Sequence, residues 1–141
     1  MKIIKTLKLV LLIIFYTNNA QANTDYFKDG LLLFEQQELE KAKFKFEQEI
    51  VFNPKSEKAY LYLSKIFNFQ KKRELEKKNL DTVILLNPKN EEAVYNLAEL
   101  KLKDSDYNES KKLIEQLLLF CKNYCLKGKK LEVEINKSIK K

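Results

Sequence analysis

Histidine is missing from this 141-residue sequence, and glycine, proline and cysteine occur only twice each. Each shortage excludes something. Without an imidazole there is no serine–histidine relay of the usual kind, no histidine-ligated metal and no c-type haem attachment. Gly30 and Gly128 stand alone, so there is no glycine-rich loop to cradle a phosphate. Two glycines and two prolines are too few turn formers for a many-stranded β fold, which leaves an all-α chain. Two thiolates fall short of the four ligands of a structural zinc site. Adjacent carboxylates such as Glu91 and Glu92 sit where a helix begins and favour its dipole, which accounts for them without acid–base chemistry. The expectation is a protein without a catalytic site, cofactor or metal.

Long apolar runs are scarce too. Leu9 to Tyr16 follows Lys2, Lys5 and Lys8 and precedes Ala20-Gln21-Ala22, the order of basic region, apolar region and small-x-small cleavage site in a signal peptide. As a helix it rises only about 12 Å against roughly 30 Å of hydrocarbon, so a retained anchor is the weaker reading. Residues 1–22 are therefore expected to be a cleavable signal peptide, removed after Ala22, with the mature chain periplasmic or secreted.

The formal charge of +7 falls on that reading: 27 Lys+Arg less the three signal lysines leaves 24 against 20 Asp+Glu, or +4. Residues 23–125 are balanced, and the excess lies in 126–141. Nucleic acid is not an expected partner, because the body carries no net basic field.

What the sequence does contain is a period. Asn53-Pro54-Lys55 returns as Asn87-Pro88-Lys89, 34 residues on. Units starting at Asn23, Glu57 and Glu91 agree in character at Tyr26, Tyr60 and Val94; at Gly30, Ser64 and Ala98; and at Leu32, Ile66 and Leu100. Their second halves agree at Phe46, Leu80 and Ile114, at Ile50, Ile84 and Leu118, and at Phe52, Leu86 and Phe120. Apolar spacing of three and four predicts two helices per unit, broken at 36–38, 70–72 and 104–106. Asp106 and Glu109 have the spacing of a capping box. Gly30, Ser64, Ala98, Ala42 and Ser110 are small where paired helices approach. Glu76 occupies such a place in the second unit, so its helices are expected to splay or its carboxylate to reach outward. Each asparagine before a proline disfavours the helical region and ends a unit.

This pattern resembles the tetratricopeptide-repeat family over residues 23–124, most closely in Glu91-Glu92-Ala93-Val94-Tyr95-Asn96-Leu97-Ala98 and Asp106-Tyr107-Asn108-Glu109-Ser110. The resemblance implies a helical solenoid, a right-handed superhelix of antiparallel helix pairs: repeats at 23–56, 57–90 and 91–124, then a capping helix at 125–141 with Leu131, Ile135 and Ile139 facing the array. It also implies an interaction scaffold, with the first helix of each unit lining a concave face. By register that face holds Phe27, Leu31 and Phe34, then Leu61, Lys65 and Phe69, then Tyr95, Glu99 and Leu102. Most are apolar, so the expected occupant is an apolar segment of another protein. The family's two-carboxylate clamp maps to Phe27, Leu31, Tyr62, Glu92 and Asn96, where only Asn96 keeps the polarity. Tail peptides ending in free carboxylates are not expected ligands.

Cys121 and Cys125 stand where the third proline turn is missing, and in an oxidising compartment a disulfide is the expected state. The rival is a dithiol for redox exchange or Cu(I) handling. The lysine-rich end suggests weak contact with an anionic membrane surface, the bland alternative being a solvated cap face. A second copy could also cover the apolar face.

Overall fold

The structure is a computed structural model describing residues 25–140; the expected signal peptide lies outside these residues. Seven helices follow in chain order: α1 Tyr26–Glu35, α2 Leu39–Phe52, α3 Glu57–Phe69, α4 Arg73–Leu86, α5 Glu91–Lys103, α6 Tyr107–Phe120 and α7 Cys125–Ile139. Packing is sequential. Each helix lies chiefly against its neighbours in the chain, and α7 closes over α6 and α5.

The helices stop for two different reasons. α1, α3 and α5 each end in a Schellman turn. Glu38, Lys72 and Asp106 donate their N–H to the carbonyls of Leu33, Phe67 and Lys101, while Gln37, Lys71 and Ser105 donate to Phe34, Asn68 and Leu102. The turn residue is left-handed in every case, with φ of 61° at Gln37, 57° at Lys71 and 62° at Ser105. α2 and α4 end instead because Asn53 and Asn87 precede prolines and are driven out of the helical region, to φ, ψ of −131°, 80° and −143°, 91°.

The Schellman turn also alters the expected capping box. Asp106 caps α6 by accepting from the Glu109 N–H at 3.4 Å. The return half cannot form, since the Asp106 N–H is already given to Lys101. Glu109 pairs with Lys112 instead.

Close approach uses both glycines. A Cβ on Gly30 would stand 2.7 Å from the Phe46 ring, and one on Gly128 would stand 3.2 Å from Leu118, where α7 meets α6. The matching small residue Ser110 is buried and donates its hydroxyl to the Ala98 carbonyl at 2.7 Å.

Phe46, Leu80 and Ile114 are fully buried, as are Ala42 and Ile66. Leu32 is the exception in its set, at 56 % exposed, because no described residue packs over it. Two expectations are corrected. Glu76 is 4 % exposed and α4 stays tightly packed on α3, so the carboxylate lies between the two helices and neither swings outward nor splays the pair. Asn68, the penultimate residue of α3, donates to it at 2.8 Å and satisfies one oxygen. Ile139 is half in water at the frayed end of α7, while Leu131 and Ile135 are buried against the array.

Candidate functional site

The first helices of the three units converge on an open cleft of about 370 Å³. Phe34 of α1 forms one wall. α3 contributes Ser64, Lys65, Asn68 and Phe69, α4 contributes Glu76, and α5 contributes Glu92, Asn96, Glu99 and Lys103.

Only part of the face expected from register lies here. Phe34, Lys65, Phe69 and Glu99 line the cleft. Leu61 does not: it is 8 % exposed and packs into the core shared with the third unit. Phe27 turns against Phe46 and Tyr62, with both ring centroids 5.7 Å away. Tyr95 packs on Tyr124 at 5.4 Å, and Leu102 faces a smaller cleft shared with Leu131 of α7. Leu31 is half-buried beside neither cleft. The physical reason is that equivalent positions 27, 61 and 95 sit where one unit meets the next. The stack consumes them as packing, and the cleft is left with the C-terminal halves of α1 and α3, Glu76 of α4 and one face of α5.

The result is a more polar site than the register suggested. Phe69 is 66 % exposed and leans towards Phe34, ring centroids 6.2 Å apart, and Phe34 is itself held edge-on by Tyr62 at 5.1 Å. Between them lie three carboxylates and two ammonium groups. Lys65 is committed to Glu92 at 2.8 Å and lies over the Tyr62 ring. Glu99 accepts from the Tyr95 hydroxyl at 2.7 Å. Burial and this bond both hold the Tyr95 phenol above its ordinary range. Burial also raises the Glu76 carboxyl; the Asn68 hydrogen bond and the charge of Lys103 pull the other way without cancelling it. Asn68 and Glu76 were not among the expected site residues. The signal that could have found them is Glu76 itself, a charge at a register position that is otherwise small.

At the far end the turn after α6 is held twice. Cys121 and Cys125 are joined as a disulfide. Glu91, at the start of α5, accepts three consecutive backbone N–H groups, from Lys122 at 2.9 Å and from Asn123 and Tyr124 at 2.8 Å each. Desolvation raises the Glu91 carboxyl, but these bonds and the Lys122 charge outweigh it and leave the group below its ordinary value. One repeat earlier, Glu57 accepts from the side chains of Asn87, at 3.1 Å, and Asn90. The first glutamate of a unit thus ties down the turn that ends it.

No group of three or more cysteine, aspartate or glutamate side chains converges on a metal site among the described residues, and none of their helices is long and apolar enough to cross a membrane.

Comparison with known proteins agrees on architecture. No protein-family model matches the chain, and no curated protein matches it by sequence. Solved structures do match. The Yersinia enterocolitica type III secretion translocator chaperone SycD is similar with a TM-score of 0.77 at 12 % identity, over 91 % of this chain and 94 % of that one. The first tetratricopeptide domain of Spaghetti (RPAP3), bound to the HSP90 peptide SRMEEVD, is similar with a TM-score of 0.75 at 15 % identity, over 82 % of this chain and 91 % of that one. The TPR2B domain of yeast Sti1, in complex with an Hsp70 peptide, has a TM-score of 0.74 at 10 % identity, over 80 % and 94 %. The chain therefore has the tetratricopeptide-repeat fold, an all-α solenoid of paired helices closed by a capping helix.

Proposed function

We propose that this chain is a non-enzymatic scaffold that holds a segment of a partner protein in its concave cleft. The observation that carries the reading is the cleft itself: helices from three successive units present two facing aromatic rings, Phe34 and Phe69, over a floor with more carboxylates than ammonium groups. An array of packed helices is ordered before binding, which lowers the entropy lost on capture. Solved neighbours of the same fold hold peptides of HSP90 and Hsp70, and one is a secretion chaperone.

The occupant fitted by this cleft is apolar with a basic group: apolar side chains against Phe69 and Phe34, and a lysine or arginine towards Glu76 and Glu99. An acidic tail ending in a free carboxylate meets three carboxylates and two ammonium groups, of which Lys65 is already paired with Glu92 and Lys103 makes no ion pair among the described residues. The signal-like residues 1–22 support an exported chain, periplasmic or secreted after cleavage at Ala22, working in envelope or secreted-complex assembly. In that setting the Cys121–Cys125 disulfide is a staple, in preference to a redox or Cu(I) site.

Crosslinking and co-purification from the producing cell, with mass measurement of the captured chain, tests partner and export together. Phe69 is the residue to change. It is largely exposed, whereas charge at Phe34 would also disturb its packing on Tyr62. Phe69→Asp is expected to lose the partner with the melting temperature unchanged; undiminished capture would sink the cleft reading.

A further inference from the structure

A second surface lies away from the cleft. α2, α4 and α6 end where α3, α5 and α7 begin, so the turns at 53–56, 87–90 and 121–124 gather along one edge of the solenoid. Three aliphatic side chains in the last turns of α2, α4 and α6, one repeat apart, stand out from that edge: Val51 is 74 %, Leu85 82 % and Leu119 88 % exposed. Their chain neighbours Ile50, Ile84 and Leu118 pack inward, so this ladder is not core in imperfect register.

Lysines stand on the same edge. Lys55, Lys89 and Lys122 are exposed on the turns and make no ion pair among the described residues. The acids beside them keep their charge but are directed at the turns they hold: Glu57 at the Asn87 and Asn90 amides, Glu91 at three backbone N–H groups. One turn back, Asp81 and Glu115 are paired with Lys77 and Lys111, while Glu47 of the first unit is exposed and makes no ion pair among the described residues. The chain also joins the array here. Asp25 caps α1 next to Tyr26, whose ring stacks on Phe52 at 5.2 Å.

We propose that this edge docks on an anionic lipid surface, Val51, Leu85 and Leu119 entering the headgroup region and Lys55, Lys89 and Lys122 meeting lipid phosphates. Exposed apolar tips flanked by lysines are the features that hold a protein at such an interface. A soft surface suits this geometry, because the tips are spaced one repeat apart along an edge. The lysine excess of residues 126–141 adds to the same field, and α7 begins at this edge, so contact is centred on the turns and not on the tail.

The test is flotation of the full chain with vesicles of phosphatidylcholine alone and with about one-third phosphatidylglycerol. Binding is expected to the anionic vesicles at about 50 mM salt and to fall steeply by about 500 mM. The Leu85→Ser, Leu119→Ser pair should weaken it roughly tenfold, and Lys55→Glu with Lys89→Glu by at least as much. The melting temperature should hold throughout, since all four side chains are exposed. Anionic-vesicle binding unchanged in either pair would place the attachment in Leu9–Tyr16 or the tail and overturn the proposal. So would equal binding to both vesicle types. Sedimentation of the free protein covers the remaining case: a dimer dispersed by the leucine changes, with no lipid binding, assigns the edge to a second copy.

Discussion

Glu76 shows how a single side chain departs from its register. A carboxylate at a place made for alanine or serine costs desolvation, which is why splaying or escape to water was the natural expectation. What that reasoning lacked was Asn68, eight residues earlier on the facing helix, whose amide pays part of the cost by donating to one oxygen. Gly30 was legible from the same register, because a missing side chain needs no partner to interpret: it is small so that the Phe46 ring can lie over it. Burial lifts the Glu76 carboxyl above its ordinary 4.5, so the folded chain holds that proton more tightly than the unfolded one. Protonation therefore favours folding. The contribution is fully present below 4.5 and is lost as pH rises through the raised folded value. Glu76→Gln keeps an acceptor for Asn68 without the charge. It should raise unfolding stability at pH 7 by on the order of 1 kcal/mol, with the gain vanishing in urea titrations run well below 4.5. A loss at pH 7 would mean that Lys103 and Arg73 stabilise the carboxylate more than burial penalises it.

Whole helices were legible where proline or apolar spacing marks their ends, and the breaks at 36–38, 70–72 and 104–106 fall where the structure has them. The geometry of those breaks was not legible. A left-handed turn residue normally announces itself as glycine, and here it is Gln37, Lys71 and Ser105, side chains that point to no such conformation. Each bears the steric cost of the left-handed region, so Lys71→Gly should stabilise the chain by about 0.5–1 kcal/mol in thermal melts, after the added freedom of glycine in the unfolded state is counted. The exposed lysine makes no ion pair that would mask the effect. The turn after α6 is the opposite case: the lost proline was visible, and the disulfide expected in its place is there. What could not be read was Glu91, because three backbone donors on one carboxylate leave no trace in residue types. Replacing Cys121 and Cys125 with serine should cost roughly 2 kcal/mol in denaturant unfolding, the chain-entropy value for so short a loop. The variant should still capture its partner, since the disulfide lies outside the cleft; loss of function with the fold intact would favour the redox reading.

Over the whole molecule the core is divided within the second unit. Ala59, Leu63, Ile66 and Phe67 of α3 pack with Ala42 and Phe46 of α2, whereas Leu61 of the same helix, with Leu80 and Val83 of α4, joins a larger cluster that runs through α5 and α6 to Leu131 and Ile135 of α7. This division also explains why the cleft was only half legible. Residue types show which helix faces are apolar. They do not show which apolar residues the stacking of units consumes, and that stacking took Phe27, Leu61 and Tyr95 for packing. In an array whose units contact only their neighbours, stability is a sum of local terms, and an end with one neighbour opens first. The two ends are not equal here. The C-terminal end is covered by α7, its turn closed by the disulfide and by Glu91, while among the described residues nothing covers Leu32 on α1. Native-state hydrogen exchange should therefore find the amides of α1 and α2 opening at least about tenfold more often than those of α5 and α6, a gap of ~1.4 kcal/mol. Phe34, on α1, is the cleft wall this opening removes. A partner held in the cleft should slow exchange in α1 and α2 more than anywhere else, whereas protection confined to α5–α7 would place the partner at the capped end.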